Sequence, residues 1–139
     1  MRYLAIDYGS RRTGLAICDA LETIASPLTV LHGQKDLIGR IAKIVASEGV
    51  GGIVLGLPLN MDDSEGPQAK LVRAFARKLE GQISLPIHFQ DERLSSFAAK
   101  EKLDRAEFSR AKKRERIDAV AAAEILQAFL ERTKSRAQQ

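Results

Sequence analysis

Tyr3-Leu4-Ala5-Ile6-Asp7-Tyr8-Gly9-Ser10-Arg11-Arg12-Thr13-Gly14-Leu15-Ala16-Ile17-Cys18-Asp19 is the stretch whose reading decides the fold. Two short apolar runs, Tyr3 to Tyr8 and Thr13 to Asp19, flank the turn Gly9-Ser10-Arg11-Arg12. That pattern predicts two strands joined as a hairpin. Asp7 closes the first run, with glycine two residues on, so a carboxylate stands near the end of what reads as a central strand. A carboxylate there is costly unless it is paired, hydrogen-bonded or bound to a metal. The alternative is an Asx hydrogen bond that caps the hairpin turn.

Outward from the hairpin, Ile24 to Leu31 suits a third strand, and Pro27 places it near a sheet edge. Leu37, Ile38, Ile41, Ile44 and Val45 recur at helical spacing within Gln34 to Ser47, and Gly49 closes that helix. Ile53-Val54-Leu55 reads as a buried strand. The polar loop Asn60 to Pro67 precedes a second helix over Gln68 to Leu79. Ile87 to Gln90 is the fifth strand, Leu94 to Leu103 a helix, and Ile117 to Arg132 a long helix with an alanine-rich middle. The stretch from 109 to 116 has no clear pattern, and Lys134 to Gln139 reads as a short flexible tail. The order β-β-β-α-β-α-β-α predicts an α/β fold with a mixed five-stranded sheet: an antiparallel meander, then parallel strands reached by crossovers, flanked by helices.

Composition sets limits. With 139 residues, 45% of them hydrophobic, the chain is expected to form a single domain over 1–139. One cysteine, Cys18, rules out an internal disulfide and a cysteine cluster for zinc, and its apolar neighbours mark it as a small buried hydrophobe. No stretch has the length of a membrane span, and Asp7 comes too early for a signal peptide, so a cytoplasmic protein without a membrane partner is expected. The formal charge of +4 leans toward polyanionic partners. Six basic residues lie between Arg105 and Arg116 (Arg105, Arg110, Lys112, Lys113, Arg114 and Arg116), either as a solvated face or as a seat for a nucleic-acid backbone.

Asp7 is one of three acidic sites that border apolar segments. In Asp91-Glu92-Arg93 the two acids point to opposite sheet faces, so only one of them is available to a shared centre. Competing roles there are an ion pair with Arg93, or Asp91 as a helix cap. Asp118 shares a helical stripe with Ala121, Ala122, Ile125 and Phe129, and the two alanines let the helix approach the sheet. The competing role is an acid in the first turn that complements the helix dipole. Gathered together, the acids would form an oxygen site for Mg2+ or Mn2+, the ion that phosphodiester hydrolysis employs. Gly9-Ser10-Arg11-Arg12-Thr13-Gly14 sets backbone amides and guanidinium groups beside Asp7, suited to phosphate oxygens. His88 alternates with Phe89 in a strand and reads as a packed residue.

Five blocks in order, namely Asp7 to Ala16, Gly56 to Asp62, Ser64 to Pro67, Asp91 to Ser96 and Ile117 to Ala122, resemble the YqgF (RuvX-like) family over nearly the whole chain. The resemblance implies an RNase H-like fold and a metal-dependent nuclease. It implies hydrolysis of phosphodiester bonds in 5′-end maturation of pre-16S ribosomal RNA during ribosome biogenesis, or, by the older assignment, resolution of Holliday junctions. It further implies Asp7, Glu92 and Asp118 as catalytic, metal-holding residues, with Asp91 as the alternative to Glu92. Structured precursor RNA or branched DNA, and ribosomal particles, are then the expected partners of a monomeric enzyme. Arg11, Arg12, Lys112, Lys113 and Arg114 are the expected nucleic-acid contacts. Where the family loop reads Met-Asp-Gly-Ser-Glu-Gly, this chain has Asp63 in the glycine's place, which puts a glycine-dependent turn in question. Other functional classes are a non-catalytic nucleic-acid-binding module and an actin-like phosphotransferase. For the latter, which sandwiches its nucleotide between two domains, the chain is too short.

Overall fold

A computed structural model describes residues 1–94 and 110–137, with side chains at 1–93 and 117–134. The strands are β1 (Tyr3–Asp7), β2 (Arg12–Cys18), β3 (Ala25–His32), β4 (Gly52–Leu57) and β5 (Ile87–Asp91). They form one sheet in the order β3-β2-β1-β4-β5. The pairs β1·β2 and β2·β3 are antiparallel, while β1·β4 and β4·β5 are parallel. Pro27 lies on the edge strand β3, as its missing N–H requires, and β1 is central. Among the described residues the helices are α1 (Leu37–Glu48), α2 (Pro67–Gln82) and α3 (Arg110–Ala137), with a short 3-10 turn at Glu92–Leu94. The helix expected over Leu94 to Leu103 lies outside the described residues beyond its first position.

Strand alternation divides the core into two layers. Leu4, Ile6, Leu15, Ile53 and Leu55 face one side, where Leu37 and Ile41 of α1 and Val72, Phe75 and Leu79 of α2 cover them. Ala5, Ala16, Cys18 and Val54 face the other side and meet Ala122, Ile125, Leu126, Phe129 and Leu130 of α3. The second layer is built largely from small residues, so α3 rides close to the sheet. His88 packs edge-on against Tyr3 and tilted against Phe129, with ring centroids 6.0 Å and 5.2 Å away, in keeping with a packed role.

Two elements depart from the sequence pattern. Helix α1 begins at Leu37 rather than Gln34, and Gln34 instead clamps the first hairpin: its Nε2 donates to the carbonyls of Gly9 (2.8 Å) and Ser10 (3.1 Å), while its Oε1 accepts from Tyr8 Oη (2.9 Å). Helix α3 begins at Arg110 and runs to Ala137, whereas its apolar stripe is legible only from Ile117. The charged first turns carry no periodic apolar signal to mark them.

The loop after β4 keeps its turn without a glycine. Asn60 and Ser64 are joined by a backbone hydrogen bond of 2.9 Å, Asp63 N donates to Asn60 O, and Asp63 adopts φ 68°. This is the three-residue turn whose last position is left-handed, a conformation that aspartate tolerates better than most residues. Arg93 Nη2 also donates to Asp63 Oδ1 at 2.7 Å. Asp63→Gly therefore exchanges an exposed ion pair for a freer backbone, and thermal unfolding is expected to stay within a few degrees of wild type. Asp63→Val puts a β-branched residue at positive φ and is expected to cost about 1–2 kcal/mol by the same measurement.

Candidate active site

The carboxyl ends of the parallel strands β1, β4 and β5 share one edge of the sheet, the usual position of a ligand crevice in an open α/β sheet. Asp7 ends β1, and its side chain follows Ala5 onto the α3 face. Glu92 comes one residue after β5 and has the same parity as His88 and Gln90. Its carboxylate reaches back over Gly56 at the end of β4 and shares a hydrogen bond with Asp7. Asp91 has the opposite parity. Arg93 holds it through its guanidinium, with Nε donating to Oδ1 at 3.0 Å and Nη2 to Oδ2 at 2.6 Å, and through its backbone N–H to Oδ1 at 2.9 Å, and the pairing keeps its carboxyl below the usual range. The two neighbouring acids thus face different partners.

Asp118 sits in the third turn of α3, eight residues past its start, so it is not in the first turn that the dipole reading requires. What places it is Gly14, the register partner of Asp7 on β2. A Cβ on Gly14 would lie 2.1 Å from the backbone carbonyl oxygen of Asp118. Gly56 has the same role beneath Glu92: a Cβ there would lie 2.6 Å from Glu92 Oε1 and 2.7 Å from Ile125 Cδ1. Two strand glycines therefore clear the space into which the second and third acids fit. The sequence signal for both is glycine inside an apolar strand, which marks a close approach but not what approaches.

Electrostatics confirm the crowding. The carboxyl of Asp7 is pushed up to about 9, first by burial, then by its hydrogen bond with Glu92, then by the charges of Glu92 and Asp118. With the proton on Asp7, its hydroxyl donates to Glu92. Asp118 pairs with the guanidinium of Arg12, Nε to Oδ2 at 2.6 Å. A cleft of about 320 Å³ opens over this arrangement, lined by Asp7, the Tyr8 to Arg12 turn, Gln68 and Asp118. Among the described residues no three acidic, histidine or cysteine side chains converge tightly enough to hold an ion as they stand. Asp7 and Glu92 are in contact, and Asp118 is engaged by Arg12.

Of the expected nucleic-acid contacts, Arg11 and Arg12 line the cleft, with Arg11 exposed. Lys112, Lys113 and Arg114 fall in the first turns of α3, and their side chains lie outside the described residues. The sequence patterns point to no site role for Gln34, Gly56 or Gln68, and they place Gly14 in a phosphate-suited turn rather than beneath Asp118.

A family model described as "RuvX: Holliday junction resolvase" matches residues 1–132. The chain belongs to the RuvX family. Relatives in this family include a protein of Cereibacter sphaeroides, 47% identical over 131 residues, which cover 93% of this chain and 82% of that one. Another, from Moorella thermoacetica, is 44% identical over 135 residues, covering 95% and 96% of the two chains. Both carry the name "Putative pre-16S rRNA nuclease". Among solved structures, Thermus thermophilus RuvC in complex with a Holliday junction substrate superposes with a TM-score of 0.56 at 17% identity, covering 96% of each chain. This RuvX family member thus has the RNase H-like fold that its motifs implied.

Proposed function

We propose that this chain is a metal-dependent nuclease that hydrolyses phosphodiester bonds of precursor 16S ribosomal RNA, acting as a cytoplasmic monomer on RNA or ribosomal particles. Asp7, Glu92 and Asp118 would hold Mg2+ or Mn2+. The observation that carries this reading is Asp7 itself, a half-buried carboxyl crowded by two further acids at the carboxyl edge of the sheet. Evolution of a stable fold alone gives no reason to place three acids where one must keep its proton, whereas an all-oxygen donor set suits a hard divalent cation.

Such a cation, when bound, activates water and stabilises the leaving oxygen. The chain's own groups do the rest. The Gly9 to Arg12 turn lines the cleft, where its backbone N–H groups would meet a phosphate, with Arg11 beside them. Gln34 fixes that turn through both carbonyls, so the donors are held in place before substrate arrives. Glu92 supports the reading better than Asp91 does, because Asp91 is spent on Arg93.

A second reading, cutting of branched DNA, rests on the description of the family model. Both are tested by incubating the purified protein with Mg2+ and either a precursor RNA carrying its 5′ leader or a four-way DNA junction. Cleavage of the RNA is expected. Glu92→Gln should reduce its rate by about 10³-fold, the scale of losing several kcal/mol of transition-state stabilisation, and Asp91→Asn by less than about tenfold. Equal loss in both variants would remove the distinction between the two acids, and cutting of the junction alone would favour the second reading.

A further inference from the structure

We infer that Arg12 and a divalent cation compete for the Asp118 carboxylate, and that the cation, on taking Asp118, releases the Arg12 guanidinium to a phosphate of the substrate. This rests on the metal-dependent reading proposed above and adds a coupling between the two binding events.

The geometry is specific. Arg12 Nε lies 2.6 Å from Asp118 Oδ2, an interaction that joins the start of β2 to the third turn of α3 across 106 positions of sequence. Asp118 is held by a cation of the chain, whereas Asp7 is hydrogen-bonded to Glu92. To serve a metal together with Asp7, Asp118 has to give up a hydrogen bond to Arg12 or share its oxygens. The pair is suited to exchange. Its side chains are 33% and 23% exposed, so water screens it and its net strength is modest, unlike that of a fully buried pair.

Arg12 also lines the cleft, and among the described residues only its Nε has a hydrogen-bond partner. Its two Nη groups are left for a planar oxyanion, the geometry in which guanidinium binds phosphate best. While paired to Asp118, however, its charge is largely offset. A divalent cation at Asp118 removes that offset, so Arg12 gains attraction for phosphate when the centre is loaded. Coupling of this sort is reciprocal: substrate that holds Arg12 away must tighten the metal.

The test uses Arg12→Gln in two measurements, with circular dichroism to verify folding and Arg12→Met as a substitute should the glutamine variant not fold. In Mn2+ calorimetry without nucleic acid, the variant is expected to bind about fivefold or more tightly than wild type, at the lower end of ordinary coupling factors. Loss of a positive charge alone would also tighten the metal, so the second measurement addresses the release itself. Binding of a single-stranded oligonucleotide is followed against salt, with and without Ca2+. The wild-type slope is expected to exceed that of the variant by about 0.7 in the presence of Ca2+, the contribution of one phosphate contact, and by nothing without it. Equal or weaker Mn2+ binding by the variant, or a slope difference that is the same with and without Ca2+, would overturn the inference while Mn2+ binding lost in Asp118→Asn keeps the metal reading intact. Absence of carboxylate-dependent Mn2+ binding by the wild-type protein would overturn both.

Discussion

Asp7→Asn is expected to abolish cleavage and, in the same protein, to raise its resistance to heat above neutral pH. The loss of activity should be on the order of 10³-fold or more, because the variant cannot supply the charged oxygen that the metal requires. The gain in stability follows from the proton that Asp7 retains. In the unfolded chain a carboxyl titrates near 4, whereas in the folded chain Asp7 holds its proton up to about 9. Between these values the folded state binds one proton more than the unfolded state, so stability must fall as pH rises. The stabilising contribution is complete below the unfolded value and is lost progressively as pH climbs toward the folded one. Asparagine presents much the same shape with nothing to titrate, and this part of the slope disappears. Thermal unfolding from pH 5 to pH 9 without divalent cations should show wild type declining relative to the variant. At pH 8 the variant should melt higher by at least several degrees, given that about 1 kcal/mol moves a chain of this length by a few degrees. Added Mn2+ should then raise the melting temperature of wild type and not that of Asp7→Asn, since a ligand stabilises only the state that binds it. A variant no more stable than wild type at pH 8 would mean that Asp7 carries no excess proton, and that the crowding of Glu92 and Asp118 around it has little effect.

What the sequence made legible depended on periodicity. The hairpin and the edge position of Pro27 have their counterparts in the structure, and of the helical stripe from Asp118 to Phe129, Ala122, Ile125 and Phe129 pack on the sheet, whereas Ala121 is only half-buried and Ala123 takes the second small-residue place in the core. The choice between Asp91 and Glu92 could not be read the same way. Alternation says that they diverge, but which one turns toward Asp7 depends on the register of β5 against β4 and on the 3-10 turn at its end. The role of Asp118 was obscured for a related reason. A helix whose first turns are Arg110-Ala111-Lys112-Lys113-Arg114-Glu115-Arg116 has no apolar stripe there, so the pattern places its start at Ile117 and makes Asp118 look like a first-turn acid. Gln34 likewise reads as the first residue of a helix, and only the folded hairpin gives its amide two carbonyls to bind. The missing information in all three cases is tertiary: which backbone lies opposite.

Gly14→Ala carries that dependence to its limit, since a single methyl group is expected to impair the site without touching any acid. The added Cβ would fall 2.1 Å from the carbonyl oxygen and 2.4 Å from the carbonyl carbon of Asp118, and 3.1 Å from the nitrogen of Ala119. These are backbone atoms within a helix and cannot step aside as the tip of a side chain can. Relief requires α3 to lift from the sheet by more than 1 Å, against the packing of Ala122, Ile125 and Leu126 on Ala5, Ala16 and Val54. Overpacking of this sort costs about 1–3 kcal/mol, which leaves most molecules folded. The larger effect falls on function, because the lift carries Asp118 away from Asp7, the register partner of Gly14, and displacement by about 1 Å at a catalytic centre costs on the order of 10²-fold in rate. Chemical denaturation and cleavage rates measured on the same preparation should therefore show a modest loss of stability beside a hundredfold loss of activity. Gly81→Ala provides the contrast, since a Cβ there meets nothing within 4 Å and lies near the end of α2, so neither quantity should fall. If Gly14→Ala instead lost stability and activity in proportion to the fraction unfolded, the glycine would serve only the core. Loss of activity in a population that remains folded is the signature of a glycine that sets the distance between two carboxylates.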